Sequence, residues 1–120
     1  MGRMVQKTDW KTVDMPEQRI DFLLEKSLTD REREILKEGH RPKEMEDKWF
    51  IYYEGEKLFI HRSWTGFCIY IVELAQGDQL RVTVNRNPEQ YKETLLGRDR
   101  VKVELLINRL IERAGKTPAR

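Results

Sequence analysis

The sequence contains one cysteine, Cys68, in 120 residues. That excludes an internal disulfide and any cysteine-rich zinc site, and it suits a reducing compartment. Histidine is scarce too. His40 and His61 are the only two, so with Cys68 a three-ligand metal centre would need an unforeseen contact in the fold, and no metal or other cofactor is expected. No apolar run approaches the length of a membrane span, and the opening stretch MGRMVQKTDW has no apolar h-region. Neither a spanning segment nor a secretory leader is expected, and cytoplasmic residence follows. Gly2 is no myristoylation signal, because Gln6 stands where serine or threonine is required. The glycines are scattered without phosphate-loop spacing. A one-sided charge is also missing. The 23 basic and 21 acidic residues leave a net charge of +2, which argues against a dedicated nucleic-acid binder.

What is present is a highly charged surface around a sufficient core. Hydrophobic residues make up 38% and charged residues 37%. A chain of this length folds as one domain and buries roughly two-thirds of its unfolded surface. Residues 1–120 therefore read as a single domain, with 1–13 a loose N-terminal arm and 116–120 a tail. There is no internal repeat and no linker.

Local signals divide the chain. DMPEQRIDFLLEK reads as a short helix, with Asp14 as cap, Pro16 in the first turn and Ile20, Phe22, Leu23 and Leu24 as its apolar side. TDREREILKEG reads as a second, surface helix with Thr29 and Glu32 at capping-box spacing and Gly39 as its stop. From Lys48 the pattern changes to aromatic and β-branched runs. KWFIYYEGEKLFIHR carries a hairpin signal at Glu54-Gly55, FCIYIVEL is a third strand and QLRVTVN a fourth. NPEQYKETLLG is expected to be helical, capped by Asn87 and ended by Gly97. DRVKVELLINRLIERAG is the strongest helix, with Val103, Leu106, Ile107, Leu110, Ile111 and Ala114 on one stripe, Asp99 as cap and Gly115 as stop. The expected class is α+β: a four-stranded antiparallel meander over about 48–85, N-terminal helices over about 15–38 and C-terminal helices over about 88–114.

Strand alternation assigns each residue to a face. With turns at Glu54-Gly55 and Ser63–Gly66, one face holds Trp49, Ile51, Leu58, Ile60, Ile69, Ile71, Leu80, Val82 and Val84, and the long C-terminal helix should cover it. The other face holds Phe50, Tyr52, Phe59, His61, Cys68, Tyr70, Val72, Arg81 and Thr83. Its cover is the open question: the chain's own helices, a second copy of the chain, or a ligand stacked on the rings.

The segment His61-Arg62-Ser63-Trp64-Thr65-Gly66 concentrates chemistry in one turn. Turn formation alone accounts for the threonine, serine and glycine. Yet an imidazole, a guanidinium, two hydroxyls and an indole within five residues also suit an anionic, ring-bearing ligand. Candidate ligand-binding residues are His61, Arg62, Ser63, Trp64, Thr65, Tyr52 and Tyr70. Arg62 would grip an anionic group, Trp64 would stack, and the tyrosines would present flat surface with polar tips. His61 and Cys68 should be cross-strand neighbours, but no third orienting group accompanies them, so no catalytic residue is named. The final helix carries a local basic excess, Arg98, Arg100, Lys102, Arg109, Arg113, Lys116 and Arg120 against Asp99, Glu104 and Glu112. A solvated outer helix face is its ordinary explanation.

The run DKWFIYYEGEKLFIHRSWTGFCIYIVEL, Asp47–Leu74, resembles a family of small uncharacterised bacterial proteins with a D-K-W-F-I-Y-x-E segment followed by H-R-S-W-T-G. Some relatives are similar to segments found beside ADP-ribose-handling domains of the macro type, which implies an accessory role near nucleotide or ADP-ribose chemistry. The resemblance supplies no activity. The leading expectation is a non-enzymatic binding or interaction module with an anionic or nucleotide-like ligand, capable of forming a homodimer. The alternatives are a small enzyme acting on a nucleotide-like substrate, with His61 as acid/base, and a nucleic-acid accessory protein using the basic final helix.

Overall fold

A computed structural model describes residues 4–116, with side chains through Arg113. Five antiparallel strands form one sheet, β1 (Arg19–Glu25), β2 (Trp49–Glu54), β3 (Lys57–Arg62), β4 (Cys68–Glu73) and β5 (Gln79–Asn85), in the order β1-β5-β4-β3-β2. Two α-helices accompany it, α1 (Asp30–Lys37) and α2 (Leu96–Lys116). The class is α+β, and β2 to β5 form the expected meander.

The first expected helix is a strand. Along Arg19–Glu25 Ile20, Phe22 and Leu24 alternate with Arg19, Asp21, Leu23 and Glu25, and apart from the exposed Leu23 this is the period of two that a half-buried strand satisfies and a helix does not. Phe22 opposes Val82 and Leu24 opposes Leu80, and both are buried. The capping signals at Asp14, Pro16 and Glu17 do not nucleate a helix against this pairing. α1 forms where expected. The Glu32 amide donates to Thr29 Oγ1 and the Thr29 amide to Glu32 Oε1, each at 3.0 Å. Gly39 follows its end at φ +76°, and any Cβ there would lie 2.4 Å from the Ile51 carbonyl oxygen. α1 is less superficial than its sequence suggests, since Leu36 is fully buried.

The β2–β3 turn sits one residue later than expected. Gly55 (φ +59°) and Glu56 (φ +65°) occupy its centre, the geometry of a type I′ hairpin. Ile51 therefore opposes Ile60 and Tyr52 opposes Phe59, yet each residue keeps its expected face. The β3–β4 pairing does not. A bulge lies between the Ile60–Tyr70 pair and the His61–Cys68 pair, leaving Ile69 as the extra residue. Beyond it Leu58 meets Val72 and Phe59 meets Ile71. Tyr70 and Val72 thus join the core under α2, whereas Ile71 turns to the opposite face, the reverse of the expected assignment. Ile69 stays in the core because of the bulge.

α2 covers the inner face with Val103, Leu106 and Ile107, while Leu110 and Ile111 pack at its margin. Ala114, placed on the same stripe, lies beyond the described side chains. No separate helix forms over Asn87–Gly97. Asn85 Oδ1 accepts the Asn87 amide (2.8 Å), Asn87 Oδ1 accepts the Glu89 amide (2.9 Å), and Arg86 donates to the Glu93 carbonyl (3.2 Å). These side-chain bonds hold the segment in turns and extended chain. Gly97 lies in the first turn of α2, Asp99 sits inside that helix, and the helix continues past Gly115 through Lys116.

The outer face is covered at its upper end by the N-terminal segment, which is not loose from Val5 to Val13. Trp10 stacks on Phe50 with ring centroids 6.0 Å apart and donates its indole N–H to the Ser63 carbonyl (2.7 Å). The Val13 amide donates to the Gly66 carbonyl (2.8 Å). Gly66, at φ +82°, lies so near the Lys11 carbonyl that a Cβ would meet it at 3.0 Å. Phe50, Tyr52, His61 and Cys68 are consequently buried. The tail residues 117–120 lie outside the described residues, and among the described residues no helix is long and apolar enough to cross a membrane.

Candidate functional site

The β3–β4 turn and the segment after β5 border a cleft that reaches the first turns of α2. A cavity of about 860 Å3 opens between four pieces of chain: the approach to β2 (Met45, Glu46, Lys48), the β3–β4 turn (Arg62, Trp64, Thr65), the stretch after β5 (Gln90, Tyr91, Lys92, Glu93) and the first turns of α2 (Arg98, Lys102). Of the residues expected to bind a ligand, it gathers Arg62, Trp64 and Thr65. The other four lie elsewhere.

Trp64 is 65% exposed, and its indole N–H donates to the Met45 carbonyl (3.0 Å), which fixes the ring at the rim. A ring held by its polar tip with its body in solvent is an available stacking surface. The Arg62 guanidinium lies 4.8 Å from the centre of the Trp49 ring, a cation–π contact that orients it. Behind both, Ser63 is a fastener. Its hydroxyl donates to the Asp47 carbonyl (2.6 Å) and its amide to the Lys48 carbonyl (2.8 Å), tying the approach to β2 onto the turn.

Beneath the cleft lies a buried polar network that the sequence pattern did not reveal, and it reaches the cleft lining through Gln90 and Tyr91. Tyr91 and Tyr70 donate to Asp99 Oδ1 at 2.7 and 2.9 Å, and the two phenol oxygens are 2.8 Å apart. Asp99 is fully buried and its other oxygen is paired with Arg86. Asn85, also fully buried, donates to the Cys68 carbonyl (2.8 Å) and to Gln90 Oε1 (2.9 Å). Burial holds the phenols of Tyr70 and Tyr91 well above the ordinary tyrosine range, so both remain proton donors. A buried ion pair is costly unless its remaining hydrogen-bonding capacity is filled, and here two phenols fill it. The network fixes Tyr91, whose ring lies 5.4 Å from Lys102 Nζ.

The charge of the cleft is one-sided. Lys48, Arg62, Lys92, Arg98 and Lys102 stand against Glu46 and Glu93, leaving +3. Glu93 is occupied. It accepts the Thr94 and Leu95 amides (both 3.2 Å) and lies 3.5 Å from Lys102. Those amides, Leu95 first, hold its carboxyl below the usual range. Among the described residues, Lys48, Lys92 and Arg98 take part in no ion pair.

His61, Ser63, Tyr52 and Tyr70 do not line this cleft. His61 is buried beneath the N-terminal segment, with Nδ1–H donating to the Gly66 carbonyl (2.8 Å) and Nε2 without a partner among the described residues. Burial lowers its pKa and keeps it neutral. Tyr52 stacks on Phe59 (4.9 Å) and on His61 (5.5 Å) in the same buried layer. Cys68 opposes His61 in the ladder as expected, but burial pushes its thiol up to about 12, far from a thiolate at neutral pH. Among the described residues no three His, Cys, Asp or Glu side chains are grouped to hold a metal ion.

The cleft residues that sequence reasoning missed are Gln90, Tyr91, Lys92 and Glu93, the approach to β2, and Arg98 and Lys102 as part of the same cleft. One available signal was Asn85-Arg86 directly after an apolar strand, two polar groups that a buried strand end must satisfy. Comparison with known proteins yields no matching family model, no matching curated protein and no matching solved structure.

Proposed function

We propose that the protein is a non-enzymatic binding module and that the cleft between the β3–β4 turn and the start of α2 receives an anionic, ring-bearing ligand of nucleotide type. The observation that carries this reading is the conjunction in one concave site of an exposed indole held by its N–H with five cations and two carboxylates, one of them already engaged. Trp64 offers the flat surface, Arg62 a planar fork for an anionic group, and Lys92, Arg98 and Lys102 the opposing positive wall. The buried network of Asp99 and Arg86 that holds Tyr91 supports a site organised before its ligand arrives. The enzyme alternative loses its acid/base candidate, because His61 sits outside the cleft beneath the N-terminal segment. Homodimerisation through the aromatic face loses its motive, since Trp10 covers Phe50. A cytoplasmic setting goes with this reading, given one free and buried cysteine.

A thermal-shift screen of nucleosides and nucleotides tests it, run on the wild type and on Trp64→Ala. A nucleotide should raise the wild-type midpoint, and the shift should disappear in the variant, whose own midpoint stays within about 2 °C of wild type because the ring is exposed. An undiminished shift in Trp64→Ala would remove the site as described.

A further inference from the structure

We infer that the ligand of this cleft carries two or more phosphoryl groups, a deepening that rests on the nucleotide-type reading above. Clustered like charges repel, and apart from the Lys102–Glu93 pair and the ring contacts of Arg62 with Trp49 and Lys102 with Tyr91 the described residues give these cations no offsetting partner, so their accumulation on a concave wall points to a ligand. Arg98 and Lys102 stand four residues apart on α2, which places their head groups side by side on one helix face. Lys92 approaches the same cleft from the segment before the helix, and Lys48 and Arg62 come from the opposite wall. With Glu93 held by two amides and Lys102, the cleft is a +3 site with one carboxylate, Glu46, outside any described ion pair.

Charge matching then selects the ligand. A phosphate monoester carries about −1.5 to −2 at neutral pH and leaves the cleft positive. A diphosphate ester, at about −3 by the same count of ionisations, neutralises it. The two-walled arrangement fits this division: the ring and first phosphoryl group beside Trp64 and Arg62, the further phosphoryl groups between Lys92, Arg98 and Lys102.

The experiment is calorimetric titration at fixed ionic strength with AMP, ADP, ATP, inorganic tripolyphosphate and a ten-nucleotide thymidine strand, with the guanine and uracil nucleotides run in parallel. It is repeated on the double variant Lys92→Gln, Arg98→Gln; both side chains are exposed, so the fold is preserved. Di- and triphosphates should bind about tenfold or more tightly than the monophosphate of the same base, and the double variant should reduce that ratio to within about twofold, weakening the monophosphate far less than the di- and triphosphates. Tripolyphosphate should bind more weakly than the triphosphate of the preferred base. Equal affinity for mono- and diphosphates, or an equal loss across the whole series in the double variant, overturns the inference and leaves the nucleotide-type reading standing. Binding by no nucleotide of any length overturns both. Tight binding of the strand with no preference among free nucleotides also overturns the inference, replacing a small ligand with a nucleic acid.

Discussion

Replacing Asp99 with asparagine removes the charge at the centre of the buried network beneath the cleft while keeping its size. In the native protein Asp99 is fully buried, accepts phenolic protons from Tyr91 at 2.7 Å and Tyr70 at 2.9 Å, and pairs with Arg86, whose side chain is itself largely buried. An asparagine oxygen in the place of Oδ1 could still accept from both phenols, but its NH2 group would then face the Arg86 guanidinium, donor against donor. Breaking one partner of a buried pair costs about 3–5 kcal/mol, because the other charge is left without compensation. Against a total stability of about 5–15 kcal/mol that is a large fraction. At about 4 °C per kcal/mol, the midpoint of Asp99→Asn should fall by about 12–20 °C. Urea unfolding should show the same loss with an unchanged slope, since the folded surface is the same. The companion variant Tyr91→Phe, which deletes one donor and leaves the ion pair, should cost about 1–3 kcal/mol. Non-additivity between the two would demonstrate the coupling. A fall of less than about 1 kcal/mol for Asp99→Asn would refute the claim that this network is a structural keystone of the cleft.

Three further outcomes follow from the same reasoning. Burial raises the pKa of Tyr52, Tyr70 and Tyr91 above the ordinary value of 10.0, so the unfolded chain loses these protons first; stability should hold below pH 10 and decline above it by up to about 1.4 kcal/mol per pH unit for each tyrosine, measurable by urea unfolding across the alkaline range. Burial lowers the pKa of His40 and His61 below 6.5, so their contribution is present above about pH 6.5 and is lost as pH falls below it; His61→Gln should flatten that acid decline by about half, and an unchanged profile would contradict a neutral, buried His61. Gly39→Ala should destabilise by about 2 kcal/mol or more, because its Cβ would sit 2.4 Å from the Ile51 carbonyl oxygen at a φ of +76°; wild-type stability by calorimetry would refute the close approach.

The parts of the fold that local chemistry dictates were readable in the sequence. Thr29 and Glu32 set the start of α1, the alternation of β2 and β3 survived a displaced turn, and the stripe from Val103 to Ile111 found the sheet. What escaped was decided by tertiary partners. Arg19–Glu25 carries helix-start signals before it, and only the free edge of β5 makes its period of two decisive. The bulge at Ile69 has no local signature, yet it moves Tyr70 from the supposed binding face into the core. The same is true of the site. The turn supplied Arg62, Trp64 and Thr65, which were legible as a cluster, but His61 and Ser63 alternate inward and serve packing. The cleft's other lining residues Tyr91, Arg98 and Lys102 come from distant chain, brought there because Arg86 bridges the Asn85 carbonyl and Asp99 beneath the surface.

The most direct test of the central claim is the indole N–H resonance of Trp64 in a nucleotide titration followed by 15N–1H NMR. Trp10, Trp49 and Trp64 each give one such signal, and single substitutions assign them. The account predicts that Trp64 shifts, together with the amides of Thr65, Lys92 and Arg98, while the amide of Gly55, in the β2–β3 turn away from the cleft, stays in place. Movement of the Gly55 amide with Trp64 unmoved would contradict it.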